Sequence, residues 1–403
     1  MNLSDLENRA VTVFPNPRVR PAAPYGAAQA AVIDETGVAA AKQAIAVWPD
    51  YGATPLHALP GLARDLGLGA LWVKDEGRRF GLGSFKALGG SYAVFRLLAR
   101  RVAAATGREP DARSLLAGQH RAIAQDFAVT SATDGNHGRS VAWGAKLFGC
   151  PCTIYMHEGV SDGRVAAIRA LGAEVVRTPG NYDDSVRACA ADAARRGRQV
   201  VSDTAYEGYT EIPRLVMHGY AVLVDEALAQ FPGGALPTHV VIQGGCGGFA
   251  AAVYGRLWEK LGAKRPRLVV VEPLNAACLY ESARAGRVTV VGGQLATVMG
   301  GLACGEVSLV AWPILEPGAS AFMTMGDGWA VDAMRRLGEG RGGDPAIVAG
   351  EAGSAGVAAL MALESQHESR AALDLDGTAR VLAIVSEGAT DPVTFRSLTG
   401  RNP

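Results

Sequence analysis

HVVIQGGCGGFAAAVYG, residues 239–255, runs from a β-branched stretch through a glycine-rich turn into an alanine-rich segment of helical period. HVVIQ has the length and branching of a buried strand, and the residues from 249 onward space their apolar side chains as a helix does. Between them Gly244, Gly245, Gly247 and Gly248 leave main-chain amides bare at a helix N-terminus, where an anion such as phosphate is held. A strand, a tight turn and a helix in this order form the repeating unit of a parallel sheet covered by helices.

The same alternation extends in both directions. Strands are expected at LWVK (71–74), FAVTS (127–131), CTIYM (152–156), LVVVE (268–272) and VLAIVS (381–386), and helices over 89–104, 138–148, 163–171, 183–196, 214–230, 249–261 and 354–365. Gly149 and Gly172 follow apolar helical runs, as expected where a helix ends in a left-handed residue. Segments 106–126 and 338–346 are polar or glycine-rich and read as surface loops. A break near 88–92 and a return near 224–236, where QFPGGALP reads as a linker, enclose a middle block of one domain's length. The expectation is an α/β protein of two domains, one built by 1–90 and 225–403 and a smaller, mobile one by 91–224.

Lysine plus arginine equals aspartate plus glutamate at 39 each, so overall charge gives no argument for a nucleic-acid or membrane partner. The opening MNLSDLENRAVTVF lacks a basic segment followed by an apolar core, and no apolar run approaches the ~20 residues needed to span a bilayer. Six cysteines in 403 residues make no disulfide framework, and no second Cys/His pair follows Cys150 and Cys152 at zinc spacing. A cytoplasmic metabolic protein without a metal is the expectation.

Two further stretches carry chemistry. In RFGLGSFKALGGSYAV (79–94), Lys86 has only small or apolar neighbours for several positions on either side. Most lysines are solvated surface groups. One deprived of water favours its neutral, nucleophilic amine, which attacks aldehydes. In TSATDGNHGRSVAWGAKLFG (130–149), the N–H groups from Thr133 to Gly138 converge at a helix N-terminus suited to a substrate carboxylate, and Asn136 can donate to a ring hydroxyl. A plain helix cap uses the same residue types, but needs fewer of them.

The glycine turn has a second reading. Gly245-x-Gly247-x-x-Ala250, with Glu272 ending the next strand, matches the dinucleotide fingerprint, whose acidic residue lies about 20 positions on. The local pattern does not decide between the two uses. Position and company favour the phosphate site, since a dehydrogenase needs neither the lysine motif nor the anion turn.

Taken together, RFGLGSFKALGGS, TDGNHGRSVAWGAKLFG, SDTAYEGYTEIPRLVMHGYAVL (202–223), GGQLATVMGGLACGE (292–306), GEAGSAG (350–356) and VSEGATDP (385–392) resemble the fold-type II pyridoxal-phosphate enzymes, the tryptophan synthase β and threonine dehydratase superfamily. Within it the likeness is nearest to the diaminopropionate ammonia-lyase family and runs over most of the chain. The resemblance implies mainly parallel twisted sheets covered by helices, with the cofactor, pyridoxal 5'-phosphate, in the cleft between two domains, the larger anchoring it. It implies Lys86 as Schiff-base lysine and proton carrier, and Gly244, Gly245, Cys246, Gly247 and Gly248 around the phosphate. Asn136 would meet the phenolic oxygen and Ser386 the pyridine nitrogen, with Thr390 a competitor. A hydroxyl there stabilises a pyridinium less than a carboxylate does, which suits elimination over transamination.

Substrate contacts fall to Thr133, Asp134, Gly135 and His137, and catalysis to Lys86, Asp134 and Asp203. Asp134 is the departure from the dehydratases, which carry a small uncharged residue before Gly-Asn. An ionised carboxylate there can pair with a substrate ammonium, or take a proton from the face of Cα opposite Lys86. Asp203 matches a second acidic position of the family, with a helix or loop cap the competing reading. Tyr209 has two readings, lining the pocket or packing in the core, of which packing is favoured. Cys246 and the segment 106–126 depart from the family pattern. Cys278 and Cys304 fall in stretches that pair closely in it. The implied reaction is α,β-elimination of 2,3-diaminopropionate to pyruvate and ammonia by a homodimer. A serine or threonine dehydratase is the runner-up, and an NAD-dependent oxidoreductase the reading from another class.

Overall fold

A computed structural model describes residues 8–403; the first seven, on which part of the reading of the opening segment rests, lie outside the described residues. The strands are β1 (Val11–Pro15), β2 (Leu56–Ala58), β3 (Ala70–Asp75), β4 (Val129–Ala132), β5 (Cys152–His157), β6 (Glu174–Thr178), β7 (Gln199–Val200), β8 (His239–Gln243), β9 (Arg267–Pro273), β10 (Ala319–Met325) and β11 (Arg380–Val385). Seven form one sheet in the order β1-β10-β9-β8-β11-β3-β2, and four form another in the order β6-β5-β4-β7. The smaller sheet is wholly parallel. The larger is parallel except for its edges β1 and β2. The central strands are buried along nearly their whole length, as expected where helices cover both faces of a sheet. Val269, Val271, Val381, Ala383 and Val385 all lie in the buried core, and burying one branched side chain contributes about 1.5–3 kcal/mol.

β8 occupies 239–243, as its sequence pattern requires. β1 and β10 carried no comparable signal. ASAFMTM lacks a β-branched run, and becomes a strand because β9 and β1 hydrogen-bond it on either side. Segment 106–126 is not a bare loop: it holds short helices at Ala112–Leu116 and Arg121–Gln125. Nor is all of 338–346 at the surface. Asp344 is buried, accepting from the amides of Gly61 (2.6 Å) and Leu62 (2.9 Å) and pairing with Arg336.

The chain forms two compact units. One comprises the chain up to Asp34, Ala53–Arg78 and Leu223–Pro403, and contains the larger sheet; the other comprises Glu35–Gly52 and Arg79–Val222, and contains the smaller one. The boundaries differ from the sequence reading in that 35–52 and 79–90 group with the middle block. Aromatic packing is the reason for the first. Trp48 lies edge-on to Trp143 (5.7 Å between centroids) and Phe148 (6.1 Å), and against Phe80 (6.0 Å).

Within the second unit, helix Lys86–Thr106 packs on helix Asn136–Phe148 at backbone contact distance. A Cβ on Gly90 would stand 2.5 Å from Ser140 Oγ, and one on Gly144 would stand 2.7 Å from Ser91 Cα. Ser140 Oγ donates to Lys86 O (2.5 Å) and accepts from Ser91 N (3.1 Å), and Ser91 Oγ donates to Ser140 O (2.8 Å). The small residues after Lys86 therefore bring two helices together. That contact brings the lysine to the turn that opens the second helix.

Candidate active site

In a parallel sheet, ligands gather at the carboxyl ends of strands where successive connections leave in opposite directions. In the smaller sheet the chain proceeds from β4 outward to β5 and β6, then returns to β7 on the other side of β4. The switch point thus lies between β4 and β7. Thr133–His137 follow β4, and Val201–Asp203 follow β7.

Lys86 Nζ is paired there with Asp203 Oδ2. His137 is buried, donates Nε2–H to Val201 O (2.9 Å) and turns Nδ1 toward Asp203 Oδ2 at 3.6 Å. Burial disfavours a charged Asp203, yet His137 and Lys86, with the hydrogen bond from Lys86, outweigh it and hold the carboxyl well below its ordinary range. Burial likewise pulls His137 below the usual histidine value, against the pull of Asp203. The His137 ring is thus anchored through Nε2 on Val201 O, while Nδ1 faces Asp203 without a hydrogen bond. Tyr209 pins the same loop. Its hydroxyl accepts from Ser202 N (2.9 Å) and donates to Val200 O (3.0 Å), and its ring stacks on Tyr206.

The anion turn is narrower than its sequence suggested. Thr133 N–H is spent on Tyr155 O (3.1 Å), and Thr133 Oγ1 accepts from Gly135 N (3.0 Å) and Gly138 N (3.2 Å). Three of the six amides from Thr133 to Gly138 are therefore engaged, and the hydroxyl of Thr133 shapes the turn. Gly135 takes φ +155°, ψ −80°, open only to glycine. Asp134 is half-buried, with Oδ1 3.1 Å from His157 Nε2, while Arg164 Nη1 donates to Asp134 O (3.2 Å). Burial raises the Asp134 carboxyl above its ordinary value, and His157 and Arg164 oppose that rise. Asn136 begins the helix, half-buried. Sequence reading missed His157 and Arg164, although a histidine closing the strand beside β4 was available as a signal.

The larger sheet has its own switch point between β8 and β11. The glycine loop follows β8. The parallel register, Ala383 opposite Val241, carries Ser386 level with Gly244. Ser386 is buried, and its hydroxyl makes no hydrogen bond among the described residues; Thr390 is half-buried. Gln243 Oε1, one residue before the loop, is a buried acceptor without a partner. In the loop, Gly244 N donates to Val271 O (2.9 Å) and Gly247 N to Gly244 O (3.1 Å), whereas the amides of Gly245 and Gly248 donate to no other described group. Gly247 adopts φ +94°, and a Cβ there would stand 3.0–3.1 Å from Leu315, Ala311 and Leu279. The loop presents the amides of Gly245 and Gly248 at the head of helix Gly248–Leu261.

The dinucleotide reading fails at Glu272. Its carboxyl is fully buried and accepts from Leu279 N (3.0 Å) and Tyr280 N (2.7 Å), with burial pushing it up to about 8 against those bonds. It has no reach to a ribose. Cys278 and Cys304 carry free thiols, and both lie against Gly245: Cys278 Sγ is 3.5 Å from Gly245 O, and Cys304 Sγ is 3.8 Å from where a Cβ on Gly245 would stand. Among the described residues no helix is long and apolar enough to cross a membrane, and no cluster could hold a metal ion.

A lysine amine paired with a carboxylate and a separate amide cradle for an anion suit an aldehyde cofactor bearing a phosphate, and comparison with known proteins agrees. The family profile "Pyridoxal-phosphate dependent enzyme" matches residues 47–387. The chain belongs to this family. Among pyridoxal-phosphate dependent enzymes it is similar to the diaminopropionate ammonia-lyase of Escherichia coli (strain K12), at 42% identity over 354 residues, 86% of this chain and 87% of the relative. The crystal structure of holo diaminopropionate ammonia-lyase from Escherichia coli superposes with a TM-score of 0.88 at 37% identity, covering 97% of this chain and 96% of that one. The same enzyme in complex with D-serine gives 0.87 at 37% identity, covering 97% of each chain. As a pyridoxal-phosphate dependent enzyme the chain takes that cofactor, and the residues described here fit it: the amine of Lys86 has the chemistry for the aldehyde, and the 244–248 loop has it for the phosphate.

Proposed function

We propose that this chain catalyses the α,β-elimination of 2,3-diaminopropionate, with Lys86, Asp134 and Asp203 as its catalytic groups. Lys86 holds the cofactor through Nζ, and the loop of Gly244, Gly245, Cys246, Gly247 and Gly248 holds its phosphate, with the amides of Gly245 and Gly248 as the donors. Asn136 faces the phenolic oxygen and Ser386 the ring nitrogen. Bound pyridoxal phosphate supplies the electron sink that makes the Cα–H bond breakable. Thr133, Gly135 and the main chain of His137 shape the turn that receives the substrate carboxylate. Lys86 takes the Cα proton from its own face, and Asp134 takes it from the other. Asp203 keeps the freed lysine oriented and its charge balanced. The β-nitrogen leaves as ammonia, and the released 2-aminoacrylate takes up water to give pyruvate and a second ammonia.

The observation that carries the substrate assignment is Asp134, a carboxylate standing before Gly135–Asn136 and held by His157. A hydroxyl leaving group needs no anionic partner, whereas a β-ammonium is paired by a carboxylate. A desolvated charge-assisted contact of this kind is worth about 1.5–3 kcal/mol, roughly ten- to a hundredfold in specificity. The test is pyruvate formation by the parent enzyme from D- and L-2,3-diaminopropionate, L-serine and L-threonine. The diamino acids are expected to lead by that margin, and a preference for serine or threonine would overturn the assignment.

Gly245→Asp tests the phosphate loop. Gly245 sits at φ +59°, a region aspartate visits, and an added Cβ would meet nothing nearer than 3.6 Å. The variant should fold while placing like charge beside the phosphate. Cofactor affinity is expected to fall roughly ten- to a hundredfold, read by equilibrium dialysis. Unchanged retention would move the phosphate site elsewhere, and tight NAD binding by the parent would revive the oxidoreductase reading.

A further inference from the structure

We propose that His157 is a positioning residue for Asp134, fixing one carboxylate oxygen so that the other is presented to the Cα proton of the D-isomer. The inference rests on Asp134 acting as the base on the face opposite Lys86. β4 and β5 are parallel with Ala132 opposite Tyr155, so continuing that register by two residues sets Asp134 level with His157. The two therefore close adjacent strands at one edge, and His157 Nε2 lies 3.1 Å from Asp134 Oδ1.

The backbone determines which ring nitrogen carries the proton. Gly159 N–H donates to His157 Nδ1 at 3.1 Å. An amide can only donate, so Nδ1 is a lone pair and the single ring proton resides on Nε2. The neutral ring thus donates to Asp134 Oδ1 and leaves Oδ2 for the substrate. With Nδ1 occupied, His157 cannot pass a proton onward without breaking the Gly159 bond. It positions the base and is not a relay.

The groups acting on the Asp134 carboxyl among the described residues are His157, from the end of β5, and Arg164, from helix Asp162–Arg169. Burial already favours the protonated acid, and the base must be ionised to work. Removing the His157 donor leaves Arg164 alone against burial, so the carboxyl rises further. Activity on the D-isomer is then lost at a higher pH than in the parent. The L-isomer, served by Lys86, provides an internal control.

The experiment uses holoenzyme and four variants, with kcat/KM against pH for both isomers. His157→Phe keeps ring bulk and deletes both hydrogen bonds. It should cut kcat/KM for D-2,3-diaminopropionate roughly tenfold or more and move its acid limb to higher pH, leaving the L-isomer limb in place. His157→Gln can donate to Asp134 and accept from Gly159, and should recover most of the D-isomer activity. Gly159→Ala leaves His157 itself intact, but would put a methyl group 2.9 Å from its Cε1 and 3.0 Å from its Nδ1, so the ring must turn away. It should reproduce the D-selective loss. Equal losses on both isomers, with an unmoved acid limb, would overturn the positioning role. Failure of Asp134→Asn to separate the isomers would instead overturn the base assignment beneath it, so the two failures are distinguishable.

Discussion

Lys86→Ala is expected to abolish ammonia release and the yellow colour of the holoenzyme together. Loss of a positioned proton acceptor alone costs about 10²- to 10⁴-fold, and loss of the covalent hold on the cofactor adds to it. No neighbouring lysine can stand in. Lys74, on β3, is wholly buried and committed to Thr54 O (2.6 Å), Glu226 Oε2 (3.0 Å) and Gln230 Oε1 (2.9 Å). Borohydride treatment of the parent, followed by peptide mass analysis, should find the cofactor fixed to Lys86. Near-normal turnover in the variant, or label on another lysine, would refute the assignment.

The same substitution has a consequence for the cofactor-free protein. Asp203 has a carboxyl depressed in the folded state, so its pairing stabilises the fold above the unfolded carboxylate pKa of about 3.9 and is lost as pH falls through the lower folded value. Without Lys86, His137 is the ionisable group left acting on that carboxylate among the described residues. The Tm of Lys86→Ala should therefore fall below the parent's at neutral pH, and the gap should narrow in acid. A Lys86→Met/Asp203→Asn double variant should recover Tm without recovering turnover, which separates the structural pair from the catalytic lysine.

Asp134→Asn is expected to damage the D-isomer far more than the L-isomer. Asparagine keeps the shape and removes both charge and basicity, so it isolates the role of the carboxylate. Lys86 can serve only its own side of a planar carbon, and the family resemblance assigns the lysine to the L-isomer. Removal of a general base on the opposite face costs about 10²- to 10⁴-fold on that face. Loss of the charge also removes roughly ten- to a hundredfold of the discrimination against L-serine. Pyruvate formation from the two diamino acids and L-serine, parent against variant, reads both effects. An equal, modest loss on all three would leave Asp134 as a residue that shapes the turn.

Much of this was legible in one dimension. HVVIQ, LVVVE and VLAIVS announce buried parallel strands because a strand covered on both faces has no polar side to present. GGCGG and TDGNHG announce tight turns that open helices, because such turns favour glycine and short polar residues at fixed offsets. SFKALGG announces its lysine because charge amid small and apolar neighbours is unusual. Each of these signals is local, set by steric and hydration preferences within a few residues.

The tertiary structure decided the pairings. Asp203 meets Lys86 from 117 positions away, and no pattern around either residue specifies the other. The small residues after Lys86 suggested an apolar pocket, yet Gly90 and Ser91 serve a helix contact while a carboxylate meets the amine. Glu272 fits a dinucleotide fingerprint in sequence, and only the start of helix Cys278–Ala285 folding over it removes it from solvent. His157 reaches Asp134 because the β4–β5 register sets the two strand ends level, and that register is fixed by the whole four-stranded sheet. Local propensity acts through nearest neighbours along the chain, whereas charge pairing, tautomer and burial depend on distances that exist only after the strands have been ordered.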